Sequence, residues 1–187
     1  YFSNYSFGGS TTFNGLIKGR FDALNNPDII FYFGIKNGFL HKSDSDDKLK
    51  NICINGWFSN GKNNTLKSSQ LHVDTLSTSF GKSSIFSSII IENFVSPEVR
   101  MDAETNVYLD KLVDVFDFKS IESLKGNINS DIFLKFKTNS LKKLRKEKIE
   151  VLNSVGHIDF KNVEFEHIIK KGDAKYAARF KNVDGTI

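Results

Sequence analysis

The sequence predicts an all-β protein, mainly an antiparallel meander, with two short helices. Apolar residues occupy every second position between Val99 and Leu109, apart from the polar Thr105, and charged or polar residues fill most of the others. This is the period of a strand with one solvated face. Roughly ten apolar runs follow one another at hairpin spacing. Only two prolines are present and long loops are few, which indicates a regular sheet.

Composition limits the class of protein. Hydrophobic residues make up 39% of the 187 residues, and 18 residues are Phe, which argues against disorder. The net charge of +4 is spread along the chain, so no nucleic-acid partner is expected. The single Cys53 excludes an internal disulfide and is expected to be a small buried hydrophobe. We expect residues 1–187 to be a single β-rich segment of a longer protein, because the first residue is Tyr and not Met and no signal peptide is visible.

The N-terminal region is predicted to contain two strands. Residues 1–12 are rich in Ser, Asn and Gly, which fits either an extended lead-in or a weak edge strand. Strands are predicted at Phe13–Phe21 and Ile29–Ile35, with a turn at 25–28 between them and a second turn at 36–38. Because Ile29–Ile35 is apolar on both faces, it is either covered on both sides or in contact with a lipid-like ligand on one.

The next strands are predicted at Lys48–Ser59, with a bulge at Gly56, and at Leu66–Val73. Asn60-Gly61 opens a hairpin turn between them, because this dipeptide accepts positive φ at low cost.

The longest apolar run in this half of the chain is far shorter than the ~18–20 residues of a membrane span.

The central stretch, from Ser84 to Phe136, is the most regular. Ser84–Phe94 and the alternating strand after it form a hairpin, with the break supplied by Pro97. Leu109–Phe116 has helical spacing of its apolar residues, and Leu124–Phe136 returns to period two.

The C-terminal region is predicted to hold a second helix and three strands. The helix, Ser140–Ile149, surrounds two leucines with basic residues, so it either packs on the sheet or contacts an anionic membrane. The strands are placed at Gly156–Phe160, Val163–His167 and Lys175–Val183.

No motif for catalysis, metal or cofactor binding is found. A nucleophile elbow and a phosphate-binding loop are missing, and Ser43–Lys48 lacks the glycine and distant glutamate of a calcium loop. The carboxylates Asp102 and Glu104 lie two apart on a strand, which places them on one solvated face; a glycosidase-like pair is the alternative. The histidines are scattered without a shared motif, at His41, His72, His157 and His167.

The apolar side of such a sheet must be covered by a second sheet, by its own curl or by a hydrophobic ligand. The short helices cannot cover it. A curved open sheet with an apolar groove and a closed sandwich are therefore the two architectures to distinguish. Alternation nominates the inward apolar face, the candidate lining of such a groove, as Val99, Met101, Ala103, Val107, Leu109, Ile128, Ile132, Leu134 and Phe136.

Several stretches carry recognisable patterns of strand and turn. They are Ile35–Leu40, Ile52–Ser59, Phe80–Phe94 with the Pro97 break, the strand to Leu112, Ser123–Lys135 and Gly156–Phe165. Together they extend over about residues 13–165, and they resemble the C-terminal region of AsmA-family proteins.

The resemblance implies a protein of Gram-negative bacteria with a β-rich body in the periplasm and an inner-membrane anchor outside residues 1–187. The family is related to TamB and to bridge-like lipid transfer proteins, whose curved sheets hold acyl chains. It implies a phospholipid partner, a role in outer-membrane lipid homeostasis and assembly, and no catalytic residue. Two other hypotheses are a structural or adhesive β-sandwich module with a closed core and a hydrolase of envelope polymers.

Overall fold

A computed structural model describes residues 4–45, 48–116, 121–139, 149–171 and 174–187. They form one open sheet, in which every strand pairs antiparallel with the next along the chain, and one short helix. The predicted antiparallel meander is therefore confirmed. The elements are β1 Tyr5–Lys18, β2 Asp28–Lys42, β3 Lys48–Ser59, β4 Gln70–Phe80, β5 Ser83–Glu92, β6 Glu98–Tyr108, α1 Leu109–Val115, β7 Ile121–Thr138, β8 Ile149–Lys171 and β9 Ala174–Thr186.

The first predicted helix is present as α1. Asp110 lies in its first turn, where a negative charge is favourable, and the Phe116 amide donates to the Leu112 carbonyl at 2.9 Å to close its last turn. The second predicted helix, Ser140–Ile149, falls outside the described residues except for Ile149. That residue is the first of β8.

The two strands predicted at 156–160 and 163–167 are one continuous strand, β8. The chain does not turn at Asn162, whose φ of 49° is absorbed by a bulge. On β7, Gly126 has a φ of 101°, and the β7–β8 pairing shifts between Lys125 and Asn127. A bulge accommodates an extra residue without ending the ladder, so nine strands are described instead of about ten.

In the first half of the chain, one further prediction is corrected and one open alternative is decided. The turn predicted at 36–38 is a bulge inside β2, where Asn37 has a φ of 53° and the register shifts between Ile35 and Gly38. Residues from Tyr5 onward belong to the edge strand β1, the second of the two alternatives for residues 1–12.

The connection between β3 and β4 is a long loop and not a tight hairpin. It occupies residues 60–69, so β4 begins four positions after the predicted Leu66. This loop is hydrogen-bonded to the loop after β5: the Asn93 amide donates to the Ser69 carbonyl at 3.0 Å, and the Phe94 amide donates to the Leu66 carbonyl at 2.8 Å. The two loops form a cap at one end of the central strands.

The hydrophobic core is small and lies at the other end, beneath α1. Its buried members are Phe80, Val107 and Leu109, and partly buried neighbours include Leu112 and Ile128. The chain exposes 12937 Å2, whereas a compact monomer of 21.2 kDa exposes roughly 9,000 Å2. A single-layer sheet accounts for the excess, because the described residues provide no second layer to bury one of its faces.

Candidate functional site

The candidate groove residues of β6 and β7 lie directly opposite one another. The pairs are Val99 with Phe136, Met101 with Leu134, Ala103 with Ile132, and Val107 with Ile128. Residues directly opposite in an antiparallel pair point to the same side of the sheet. These eight residues therefore share one side, which we call the apolar face, and the ninth, Leu109, follows as the first residue of α1.

The apolar face continues across β5 and β4, which the nomination from sequence did not include. Ile89 lies opposite Met101 and Ile91 opposite Val99, and they in turn lie opposite Val73 and Leu71. The run of three isoleucines at 89–91 conceals the alternation, since Ile90 points to the other side. The positions before this run give no clear signal, because polar Ser87 lies on the apolar face and Phe86 points to the other side.

Four phenylalanine rings, which we call the phenylalanine row, extend the apolar face from the loop cap to the edge of the sheet. Ring centroids of Phe94 and Phe58 are 5.8 Å apart, those of Phe58 and Phe31 are 6.4 Å apart, and those of Phe31 and Phe13 are 5.2 Å apart. These separations are typical of interacting aromatic pairs. The row ends at Phe13 on β1, whose side chain is 69% exposed.

Both ends of the apolar face are closed, and its middle is not. Val107 and Leu109, the first residue of α1, are buried where α1 packs against the sheet, and Val99 is buried at the end formed by the loop cap. These three residues are packed core, which differs from the expectation that all nine line an accessible groove. The other six are half-buried: Met101, Ala103, Ile128, Ile132, Leu134 and Phe136. Ile128 packs against the core at the α1 end, and no described element packs over the middle of the face.

Hydroxyl groups on the apolar face are satisfied within the sheet. The Ser87 hydroxyl donates to the Asp102 carbonyl at 2.7 Å, and the Thr105 and Ser130 hydroxyls bond to each other at 2.8 Å. Directly opposite strand residues can satisfy each other in this way. These hydroxyls already have partners, so they weaken the apolar character of the face only slightly.

The opposite side, which we call the polar face, carries ion pairs. Arg100 donates to Glu92 at 2.6 Å, and Lys135 lies 2.7 Å from Glu98. The hydrogen bond from Lys135 lowers the pKa of Glu98 below its usual range, and the charge of Lys137 adds to this effect. The charged partners of β6 and β7 thus lie on one side of the sheet, and the apolar partners lie on the other.

A depression of about 700 Å3 lies on the polar face, lined by residues that include Ser77, Phe86, Glu104 and Asp131. Glu104 and Asp131 lie directly opposite each other, and both are exposed. Asp102 and Glu104 are on the solvated side, as their spacing predicts.

The histidines remain apart. His41 and His72 lie on β2 and β4, whereas His157 and His167 are on β8. The ring of His72 stacks on Trp57 at 4.0 Å. Within the described ranges, no three His, Cys, Asp or Glu side chains are grouped so as to hold a metal ion. Cys53 is half-buried, so the expectation of full burial is wrong.

Among the described residues, no helix is long and apolar enough to cross a bilayer. Comparison of the chain with protein-family models, curated proteins and solved structures gives no match.

Proposed function

We propose that this chain is a non-enzymatic, lipid-handling segment of an AsmA-like envelope protein, and that phospholipid acyl chains bind to the apolar face. One observation carries the proposal. The middle of the face presents Met101, Ala103, Ile132 and Leu134 half-buried on a sheet that has no second layer among the described residues. A large unpartnered apolar surface is typical of a binding site.

The chemistry of the apolar face suits an acyl chain. Taking a methylene out of water contributes roughly 0.8 kcal/mol. The rows that cross β4 to β7 through Met101 and Ala103 contain apolar residues and Ser87, and no charged side chain. A chain can therefore lie on these rows without desolvating a charge, while its head group stays in water.

The closed ends favour one direction for a bound chain. Core residues beneath α1 block one end of the central strands, and the loop cap blocks the other. The phenylalanine row instead leads sideways across β3, β2 and β1. An acyl chain is thus expected to cross the strands, with Phe13 at its exit.

The proposed cellular location and biological role rest on the family resemblance. We infer a periplasmic body, an inner-membrane anchor outside residues 1–187 and a role in outer-membrane lipid homeostasis and assembly. The alternative, a structural or adhesive module with a closed core, requires a second layer over Met101 and Leu134. The described strands supply one sheet only.

The test uses two neighbouring residues of β7 that point to opposite faces. Leu134→Lys places a charge on the apolar face, whereas Phe133→Lys places it on the polar face opposite Asp102. Lipids extracted from the purified proteins are measured by mass spectrometry. We expect stoichiometric phospholipid in the wild type and in Phe133→Lys, and its loss in Leu134→Lys.

Circular dichroism establishes whether each variant is folded. If Leu134→Lys does not fold, Ala103→Phe, which fills the face without adding charge, replaces it and should also lose lipid. A wild type without bound lipid, or equal lipid in both lysine variants, would contradict the proposal and favour the structural module.

A further inference from the structure

The depression on the polar face is a channel that crosses the interior strands of the sheet, and we call it the polar channel. Its first wall is a row of directly opposite residues on β4 to β8, namely Ser77, Phe86, Glu104, Asp131 and His157. Its second wall lies two positions along β4 to β7, namely Ser79, Ser84, Asn106 and Asn129. Two residues of a strand span about 7 Å, and the three spacings from β4 to β7 span about 14 Å. The polar channel is therefore longer than it is wide, which suits a chain-like ligand.

The second wall offers hydrogen-bond donors and acceptors in fixed positions. The Asn127 amide donates to the Asn106 side-chain oxygen at 2.7 Å, and the Asn129 amide donates to the Asn127 side-chain oxygen at 2.9 Å. Among the described residues, the side-chain nitrogen of Asn106 and the side-chain oxygen of Asn129 make no other hydrogen bond. They remain available to a ligand, one as a donor and the other as an acceptor.

The first wall carries two carboxylates that the fold does not neutralise. Glu104 and Asp131 lie directly opposite each other, both are exposed, and neither has an ion pair among the described residues. Like charges in this position destabilise a sheet, so stability does not account for the pair. Two carboxylates are too few ligands for a calcium ion, and no third His, Cys, Asp or Glu among the described residues completes such a site. Hydroxyl groups of a ligand, however, would form strong hydrogen bonds with both.

Phe86 adds an apolar surface to a channel that is otherwise polar. Its side chain is 51% exposed. Its neighbours across the strands are Ser77 and Glu104, and its neighbours along β5 on the same face are Ser84 and Ser88. The ring therefore belongs to no hydrophobic cluster on this face. The face of an aromatic ring carries partial negative charge, which suits the C–H groups on one side of a pyranose ring.

We propose that the polar channel binds a neutral oligosaccharide, which crosses the central strands on the side of the sheet opposite the apolar face. Hydroxyl groups, amide groups and a C–H face are the features that its two walls match. None of the described residues that line it is Lys or Arg, and its carboxylates repel anions, so a phosphate or an acidic polymer does not fit. The volume of about 700 Å3 is within the range of ligand sites. This inference is independent of lipid binding.

The test is an NMR titration of the 15N-labelled chain with two neutral β-1,4-linked probes, chitotetraose and cellotetraose. Because the polar channel is open to water, we expect at least one probe to bind with a Kd of about 1 mM and to shift backbone amide signals around Phe86 and Asn106. Phe86→Ala should weaken binding by about tenfold, because it removes the aromatic surface. The matched control is Tyr32→Ala on β2. Tyr32 lies on the polar face, is 52% exposed and does not line the polar channel, so this variant should bind like the wild type.

A second pair of variants tests the carboxylate wall. Glu104→Ala should weaken binding by about tenfold, because it removes a charged acceptor. It should remain folded, since it also removes a like charge opposite Asp131. Its control is Asp102→Ala, on the same strand and the same face but outside the polar channel.

Three outcomes overturn the proposal. The first is that neither neutral probe shifts the signals of the polar channel at concentrations up to about 20 mM. The second is that Phe86→Ala or Glu104→Ala binds as tightly as its control. The third is that only the deacetylated, positively charged form of chitotetraose binds, because this would indicate a general attraction of cations to the carboxylates.

Discussion

The closed end and the open middle of the apolar face have the same composition and different surroundings. At the closed end, Phe80 is 1% exposed beneath α1. In the middle, Leu134 and its partner Met101 are only half-buried. The difference indicates that residues buried at the two ends of the apolar face contribute most of the stability of the fold. The apolar residues in the middle contribute less to stability than their residue types suggest. Such a surface is available for a ligand.

The largest expected effect comes from the closed end. Phe80→Ala should lower the free energy of unfolding by about 3–5 kcal/mol, because it leaves a cavity in the core beneath α1. Urea denaturation measures the loss. Phe86→Ala, on the polar face and 51% exposed, is the control and should cost far less. Equal losses in the two variants would mean that the region beneath α1 is not the core.

A smaller effect is expected in the open middle. Leu134→Ala should lower the free energy of unfolding by about 1–2 kcal/mol, because the side chain is only partly withdrawn from water. Urea denaturation of lipid-free protein gives the value. A loss as large as that of Phe80→Ala would contradict an open face and indicate a covering layer.

The third effect is pH-dependent and belongs to the polar face. The pKa of Glu98 is lowered from its ordinary 4.5, mainly by the hydrogen bond from Lys135. Its contribution to stability is therefore present above the ordinary pKa and is lost as the pH falls through the lowered one. Glu98→Gln should cost up to about 1 kcal/mol at neutral pH, and the cost should vanish in acid.

The control for this prediction is Glu104→Gln, on the same strand and the same face. Glu104 is exposed and has no ion pair among the described residues. Thermal unfolding at several pH values compares the variants. A loss that is the same at neutral and acidic pH in Glu98→Gln would show that the ion pair is not its cause.

The smallest effect is expected at Phe13, the exposed end of the phenylalanine row on β1. Phe13→Ser should change the free energy of unfolding by less than about 0.5 kcal/mol, because the ring is 69% exposed. Urea denaturation measures it. A loss near that of Leu134→Ala would place Phe13 in packed structure and extend the closed region to the edge.

The alternation of apolar and polar residues made most of the central stretch, from Ser84 to Phe136, predictable. The strand period is a local property, so Val99, Met101, Ala103 and Val107 could be assigned to one face before their partners were known. The break at Pro97 and the helical spacing after Tyr108 located β6 and α1 for the same reason.

Asparagines with positive φ are where the predicted strand ends are wrong. Asn37 lies in the predicted turn at 36–38 and Asn162 lies between two predicted strands, yet both are bulges inside long strands. A turn-prone sequence around an asparagine indicates only that the backbone bends there. Whether the chain then reverses depends on the neighbouring strand, which the local sequence does not contain.

The sequence by itself determined which residues alternate, and hence that the chain forms an antiparallel sheet with one apolar face, because side-chain direction in a strand follows from local geometry. Only the tertiary structure decided that Val107 and Leu109 are buried while Met101 and Leu134 stay half-open. Burial depends on whether α1 and the loop cap reach a given row, and those contacts join residues far apart in the chain.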